Sequence, residues 1–243
     1  MSGILDGYTT LGAGLTAETL LRDMDHAGVE RAVIAPEDRE LAVFNAEGNE
    51  RILAEAARAG GRFIPACCAT PWRGAEALAI VERAAEGGAR LLVFAPAVQG
   101  FMMTDPVVEP LLARAGELNL PVYVHTGPHS MGAPSQTVLA AQRHPGARFI
   151  LGHCGSTDHA WDMGAIARCH LGGNLHLETS LARPWAVPRY LELAGEDRLI
   201  FGSGAPTNDL RFELDQLCSH LPADEHPGLY GENLRRLLGE GRT

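Results

Sequence analysis

Pro121-Val-Tyr-Val-His-Thr-Gly127 and Arg148-Phe-Ile-Leu-Gly-His-Cys-Gly155 are the two stretches that decide the fold predicted from this sequence. Each is a short apolar run, rich in β-branched and aromatic residues, in which a histidine stands two residues before a glycine. Such runs, bounded by turn residues and alternating with helical patterns, are typical of buried parallel strands. Because the carboxyl ends of parallel strands in a closed barrel open into one mouth, His125 and His153 are expected to face a shared pocket.

Strand and helix patterns alternate along the rest of the chain. Further strands are predicted at Ile4–Tyr8, Glu30–Ala35, Arg62–Cys67, Ala89–Phe94, Asn174–Thr179 and Arg198–Gly202. Helices are predicted from Thr16 to Gly28, up to Gly60-Gly61, over Ala75–Ala85, Pro106–Leu118, Ser135–Arg143, Asp158–Leu171 and Val187–Leu193, and twice near the C-terminus. Eight strand–helix units in 243 residues predict an α/β protein with a single (β/α)8 TIM-barrel domain over residues 1–243. The rival fold is a doubly wound open sheet, but no GxGxxG turn follows the first strand.

The composition restricts the class of partner. The formal net charge is −10 at pH 7, so neither nucleic acid nor an anionic membrane surface is an expected partner. A small-molecule substrate is expected instead, and assembly into a homo-oligomer stays possible. The N-terminus has no basic region followed by a long apolar run, which predicts no signal peptide. Five cysteines without CxxC spacing fit reduced thiols, and we expect a cytoplasmic protein.

Several segments, in order over nearly the whole chain, resemble one known group of enzymes. They are Ile4-Leu-Asp-Gly-Tyr-Thr-Thr-Leu-Gly12, the pairs Gly100-Phe101 and Asp105-Pro106, Leu120–Gly127, Phe149–Gly155, Leu199–Pro206 and Gly231–Leu238. The chain is similar to the amidohydrolase superfamily, in the amidohydrolase-related group that includes aromatic-acid decarboxylases and pyrone lactonases. The resemblance implies a TIM barrel that acts on a small organic substrate at the carboxyl ends of its strands.

The chain departs from this family at its metal site. The family places a His-x-His pair at the end of strand one, and Tyr8 and Thr10 stand there instead. The family also has an aspartate at the end of strand eight, where this chain has Gly204. His125 and His153 match the family's histidines on strands five and six. The resemblance therefore implies that two metal-site positions survive and three are lost.

This loss decides what is expected of cofactors. A catalytic zinc normally takes three protein ligands and a water, so no tightly bound metal and no other cofactor is expected. Zinc or another divalent metal held by a rebuilt ligand set is the alternative. The candidates for its third ligand are Glu178, His129, Cys154 and Asp6. Asp6 has the same side-chain parity as Tyr8 and is expected to form buried hydrogen bonds at the barrel floor.

The leading functional hypothesis is a metal-independent enzyme. Because Gly204 cannot serve as the family's general base, hydrolysis by a metal-bound hydroxide is disfavoured. His125 and His153 are the candidate catalytic residues, acting as acid and base or stabilising an oxyanion in hydrolysis or decarboxylation. The rivals are a non-catalytic barrel that binds a ligand or partner, and a metallohydrolase with a rebuilt ligand set.

A further set of residues is expected to contact the substrate. It comprises Tyr8, Thr10, His129, Glu178 and Arg183. Tyr8 is either a pocket wall or a hydrogen-bond donor, and Arg183 either caps a helix or clamps a substrate carboxylate with two hydrogen bonds. A mouth without the strand-eight aspartate should favour carboxylate-bearing substrates despite the net charge. Glu178 is the residue that could restore the missing negative charge.

Overall fold

Eight parallel strands form one sheet in sequence order, as the computed structural model of residues 3–127, 129–155 and 173–240 shows. The strands are β1 Ile4–Thr10, β2 Val29–Ala35, β3 Phe63–Cys68, β4 Leu91–Phe94, β5 Val122–Val124, β6 Phe149–Leu151, β7 Leu175–Glu178 and β8 Leu199–Ile200. The segment after β8 returns to β1, where Gly204 N donates to Tyr8 O at 3.0 Å and Thr10 N donates to Ala205 O at 2.9 Å. The predicted (β/α)8 TIM barrel is confirmed.

Helices connect the strands. Their bounds are Ala17–Ala27, Asp38–Ala42, Asn45–Arg58, Ala75–Glu86, Pro96–Gln99, Glu109–Glu117, Pro134–Arg143, Val187–Ala194, Leu210–Cys218 and Asn233–Leu237. The helix predicted over Asp158–Leu171 falls outside the described residues. The helix predicted from Pro106 begins instead at Glu109, because residues 106–108 form a turn in which Val108 N donates to Asp105 O. Pro110, which has no N–H to lose, then occupies the first turn.

The first helix shows how local sequence sets its two ends. Thr16 is its N-cap, and the side-chain oxygen accepts a hydrogen bond from Thr19 N at 3.2 Å. Gly28 ends the helix with φ of 71°, in the left-handed region that favours glycine. Both ends agree with the sequence prediction. No helix among the described residues is long and apolar enough to span a membrane.

Alternating side chains divide the apolar core into two layers. In β4, Leu92 and Phe94 belong to the larger layer between strands and helices, whereas Leu91 and Val93 belong to the smaller layer inside the barrel. The inner layer also contains Tyr123 of β5. Apolar side chains therefore fill the barrel interior, and the free space lies at the carboxyl ends of the strands, as in other barrels of this kind.

Candidate active site

An open pocket of ≈ 320 Å³ lies at the carboxyl ends of the strands. Its described lining residues are Tyr8, Thr10, Asp38, Ala95, Ala97, Val98, His125, Thr126, Gly127, His129, Gly132, His153, Leu181, Gly204 and Thr207. His125 follows the last residue of β5, and His153 lies two residues after the end of β6. Their rings meet, with 3.0 Å between His125 Nδ1 and His153 Nε2. The structure thus brings the two expected catalytic residues together, with Tyr8, Thr10 and His129 around the same pocket.

Tyr8 joins this pair from β1. Its hydroxyl lies 2.5 Å from His125 Nε2, and its ring stacks on Tyr123 with centroids 4.2 Å apart and an interplanar angle of 11°. The Tyr8 side chain is only 2% exposed, so it is both packed and in contact with the pocket. The two alternatives considered for Tyr8, a pocket wall and a hydrogen-bonding hydroxyl, therefore both apply.

Glu178, at the end of β7, lies behind the histidines. Its Oε2 accepts hydrogen bonds from Tyr123 Oη at 2.6 Å, Ser180 Oγ at 2.8 Å and His153 N at 3.2 Å. Its Oε1 accepts from Ser180 N at 2.5 Å. The side chain is 0% exposed and is not among the lining residues. This placement corrects the expectation that Glu178 contacts substrate, since its oxygens are used by buried donors.

The backbone around His153 is held in an unusual conformation. His153 has φ of 63° and Cys154 has φ of 46°, both in the left-handed region that few non-glycine residues adopt. The same conformation lets the backbone N–H of His153 point at Glu178 while Nδ1 of its ring lies 2.8 Å from Ser180 Oγ. Strain of this kind persists only where surrounding contacts over-determine it, and it concentrates at functional sites.

Burial favours the neutral forms of His125, His153 and Tyr8. The pKa of His125 lies well below its ordinary value, first because the ring is buried and second because His153 is beside it. Burial also lowers the pKa of His153, although Glu178 and a backbone contact with Ser180 oppose that shift. Burial raises the pKa of the Tyr8 phenol. At neutral pH the site therefore presents two neutral imidazoles and a phenol.

Gly202, after β8, is required by the buried Glu178. A Cβ added at Gly202 would lie 2.0 Å from Glu178 Oε1. We expect Gly202→Ala to lower the free energy of unfolding by about 1–3 kcal/mol or more, because the carboxylate has to leave its donors. Gly146→Ala is the control, since no atom lies within 4 Å of the added Cβ. Urea denaturation of both variants tests this, and equal losses would contradict it.

The imidazoles of His125 and His153 are the described groups at the pocket that match the family's metal ligands. Each ring nitrogen of His125 and His153 already has a protein partner within 3.0 Å. Gly204 offers no side chain, and the described residues contain no cluster of three or more His, Cys, Asp or Glu suited to a metal. His129 Nδ1 accepts from Met131 N. Two occupied imidazoles fall short of the three protein ligands of a catalytic zinc.

Asp6, another candidate ligand, is buried, and one of its oxygens is held by backbone donors. Its Oδ1 accepts from Tyr8 N at 3.1 Å and Ser203 N at 2.9 Å, as the sequence prediction of buried hydrogen bonds required. Its Oδ2 has no hydrogen-bond partner among the described residues. Burial raises the pKa of Asp6 to about 7, against hydrogen bonds from Ser203 and Tyr8 that lower it.

Three further placements differ from the sequence analysis. Arg183 is exposed and is not one of the described lining residues. Asp38, which the sequence analysis did not select, places a carboxylate at the pocket, just beyond β2. Ser180, also missed, links His153 to Glu178. Its spacing of two residues from Glu178 was the available signal, because alternate residues of a strand share a face.

Comparisons with known proteins give one family and one fold. A family model described as amidohydrolase matches residues 11–239. No curated protein matches the chain. One similar solved structure is a 2,6-dihydroxybenzoate decarboxylase from Rhizobium, with 16% identity and a TM-score of 0.77 over 99% of this chain and 100% of that one. A second is a 5-carboxyvanillate decarboxylase from Sphingomonas paucimobilis, with 17% identity and a TM-score of 0.73 over 90% of this chain and 82% of that one. A third is a 5-carboxyvanillate decarboxylase from Novosphingobium aromaticivorans complexed with manganese and 4-hydroxy-3-methoxy-5-nitrobenzoic acid, with 16% identity and a TM-score of 0.75 over 90% of this chain and 79% of that one. At these identities the similarity establishes the shared barrel.

Proposed function

We propose, on the premise that this chain belongs to the amidohydrolase family, that it is a hydrolase or carboxy-lyase acting on a small organic substrate that bears a carboxylate. The reaction needs no tightly bound metal. The observation that carries this proposal is the contact between His125, His153 and Tyr8 at the mouth of the barrel. A neutral imidazole can accept a proton and a phenol can donate one, so the three groups together can transfer a proton to or from a substrate.

The carboxylate in the proposed substrate rests on two considerations. The similar solved structures are named as decarboxylases of benzoate-type acids, and this chain lacks a carboxylate at Gly204 that would repel such a group. Asp38 also lines the pocket, and its charge contributes to the raised pKa of Tyr8 after burial. We therefore propose that the acid group lies away from Asp38 and that a neutral part of the substrate faces Asp38, so that repulsion is avoided.

The two other candidate functions have less support. A metallohydrolase requires a rebuilt ligand set, and Glu178 and Asp6 are held by buried donors instead of facing the pocket. In a non-catalytic barrel, side chains such as those of Tyr8, Phe94, Met131 and Trp185 would fill the mouth. Of these four, only Tyr8 is among the described lining residues, and the pocket is open.

A substrate screen tests the proposal. Protein dialysed against a chelator is mixed with a panel of small aromatic and aliphatic carboxylic acids, lactones and esters, and release of CO2 or acid is measured. We expect turnover of at least one carboxylate-bearing compound, abolished in His125→Gln and retained in His26→Gln, a control on an exposed helical histidine. Turnover that requires added manganese or zinc would instead support the metallohydrolase.

A further inference from the structure

Four hydrogen bonds connect the pocket to a buried carboxylate. The first two join Tyr8 Oη to His125 Nε2 at 2.5 Å and His125 Nδ1 to His153 Nε2 at 3.0 Å. The next two join His153 Nδ1 to Ser180 Oγ and Ser180 Oγ to Glu178 Oε2, both at 2.8 Å. The proposed function as stated above uses neither Ser180 nor Glu178.

The position of each proton in this chain follows from the available donors. Every described group that contacts the two oxygens of Glu178 is a donor, so the carboxylate acts only as an acceptor. Ser180 must use its one hydroxyl proton there, and can only accept from His153. A neutral His153 then carries its proton on Nδ1, and its Nε2 accepts from His125. His125 Nε2 is left to accept the phenol proton of Tyr8.

We propose that this hydrogen-bonded chain is a proton relay, through which Glu178 serves as the internal base for a reaction at Tyr8 Oη. Tyr8 is the catalytic residue, because its hydroxyl is the pocket end of the chain of hydrogen bonds, and Ser180 and Glu178 are positioning residues that act through it. The inference deepens the proposed function and rests on it. A carboxylate on β7 thereby replaces the one that Gly204 cannot supply after β8.

The proton transfer balances along the relay. A proton from the substrate or an attacking water binds Tyr8 Oη while the phenol proton moves to His125 Nε2. The Nδ1 proton of His125 moves to His153 Nε2, and the Nδ1 proton of His153 moves to Ser180 Oγ. The Ser180 hydroxyl proton moves to Glu178 Oε2, whose negative charge is neutralised. Each bond to hydrogen that breaks is replaced by one that forms, and the reverse shift delivers the proton to the product.

The relay explains how a base can operate with buried histidines. A proton that stayed on His125 or His153 would create an imidazolium away from water, which burial disfavours. Passing the proton to Glu178 removes a charge from the interior and does not create one. Both rings remain neutral before and after the shift, and only their tautomers change.

Imidazole ¹⁵N NMR of the full-length protein, labelled at histidine, tests the relay without any substrate. Near neutral pH we expect both His125 and His153 to carry their proton on Nδ1, with resonances assigned by their loss in His125→Gln and His153→Gln. The exposed His26, on the first helix and outside the pocket, is the internal reference. A proton on Nε2 of His125 or His153, or an imidazolium at either, would overturn the proposal.

Tyr8→Phe supplies the second measurement. It removes the pocket end of the relay and keeps the ring that stacks on Tyr123. Because Glu178 sets the direction of the donors, both histidines should keep the proton on Nδ1 in this variant, and a change of tautomer would refute that assignment. The two proposals fail separately. A wrong tautomer in the NMR spectrum would refute the relay but not the proposed function. A substrate screen without turnover would refute the proposed function but would not change the tautomers.

Discussion

Tyr8→Phe is expected to lower kcat by about 10²–10⁴-fold, the usual contribution of a positioned acid or base. The variant keeps the stacked ring on Tyr123 and loses only the hydroxyl that contacts His125 Nε2. KM should change little, because the lost hydroxyl takes part in proton transfer in the transition state more than in binding of the substrate. The measurement is steady-state kinetics on the substrate that the acid panel identifies.

Tyr230→Phe is the matched control for this change. Tyr230 is also buried, and its hydroxyl donates to Leu221 O at 2.8 Å, outside the pocket. Both variants should lose about 0.5–1.5 kcal/mol of stability, the usual value of one hydrogen bond. Only Tyr8→Phe should lose turnover. A comparable fall of kcat in both variants would show that the effect of Tyr8→Phe is structural.

The double variant Tyr8→Phe/Glu178→Gln separates a relay from two independent effects. Glutamine keeps the shape of the side chain and an acceptor oxygen but cannot take up the proton. If both residues serve one transfer, the double variant should be no slower than the slower single variant, because groups that act as a unit are strongly non-additive. Multiplied losses would contradict the relay.

Asp6→Asn is expected to remove a pH-dependent part of the free energy of unfolding worth roughly 4 kcal/mol. This figure follows from a pKa difference of about three units between the folded and unfolded chain, at 1.36 kcal/mol per unit. Burial raises the folded-state pKa of Asp6 to about 7, above its ordinary value of 3.8. Between these pH values the folded chain binds a proton that the unfolded chain has released. The free energy of unfolding of the wild type should therefore fall as pH rises from about 4 to about 7, and then level off.

Urea denaturation at several pH values measures this effect as a difference. At each pH the free energy of unfolding of Asp6→Asn is subtracted from that of the wild type. The difference reports Asp6 alone, because the other carboxyl groups titrate in both proteins. The asparagine oxygen can still accept from Tyr8 N and Ser203 N, so the variant should fold. A difference curve that is flat with pH would contradict the prediction, because it would show that the pKa of Asp6 is the same in the folded and unfolded chain.

The sequence predicted the strands and the position of the two histidines because both depend on local pattern. The apolar runs that end at His125 and His153 specify parallel strands, and barrel geometry brings such strand ends together. The start of the helix at Glu109 was missed because residues 106–108 form a turn where the sequence pattern predicts the first residues of the helix. A local pattern does not show which of these two conformations the residues adopt.

The connections among site residues could not be predicted in the same way. Tyr8 and His125 are 117 positions apart, and their contact depends on the register of β1, which is shifted between Asp6 and Thr9. Pattern places Glu178 at a strand end, yet only the packing of Ser180 and Tyr123 around it shows that it faces inward. Long-range packing of this kind has no signal in one sequence.

The conformation of Gly204 opposes a carboxylate at the end of strand eight. Its φ of 68° lies in the region that disfavours side chains, and an added Cβ would meet Ser180 Cβ at 3.0 Å. A Gly204→Asp substitution would therefore strain the backbone and disturb Ser180, the residue that connects His153 to Glu178. Supplying the carboxylate that the family has at this position would thus break the contacts that lead from the pocket to Glu178.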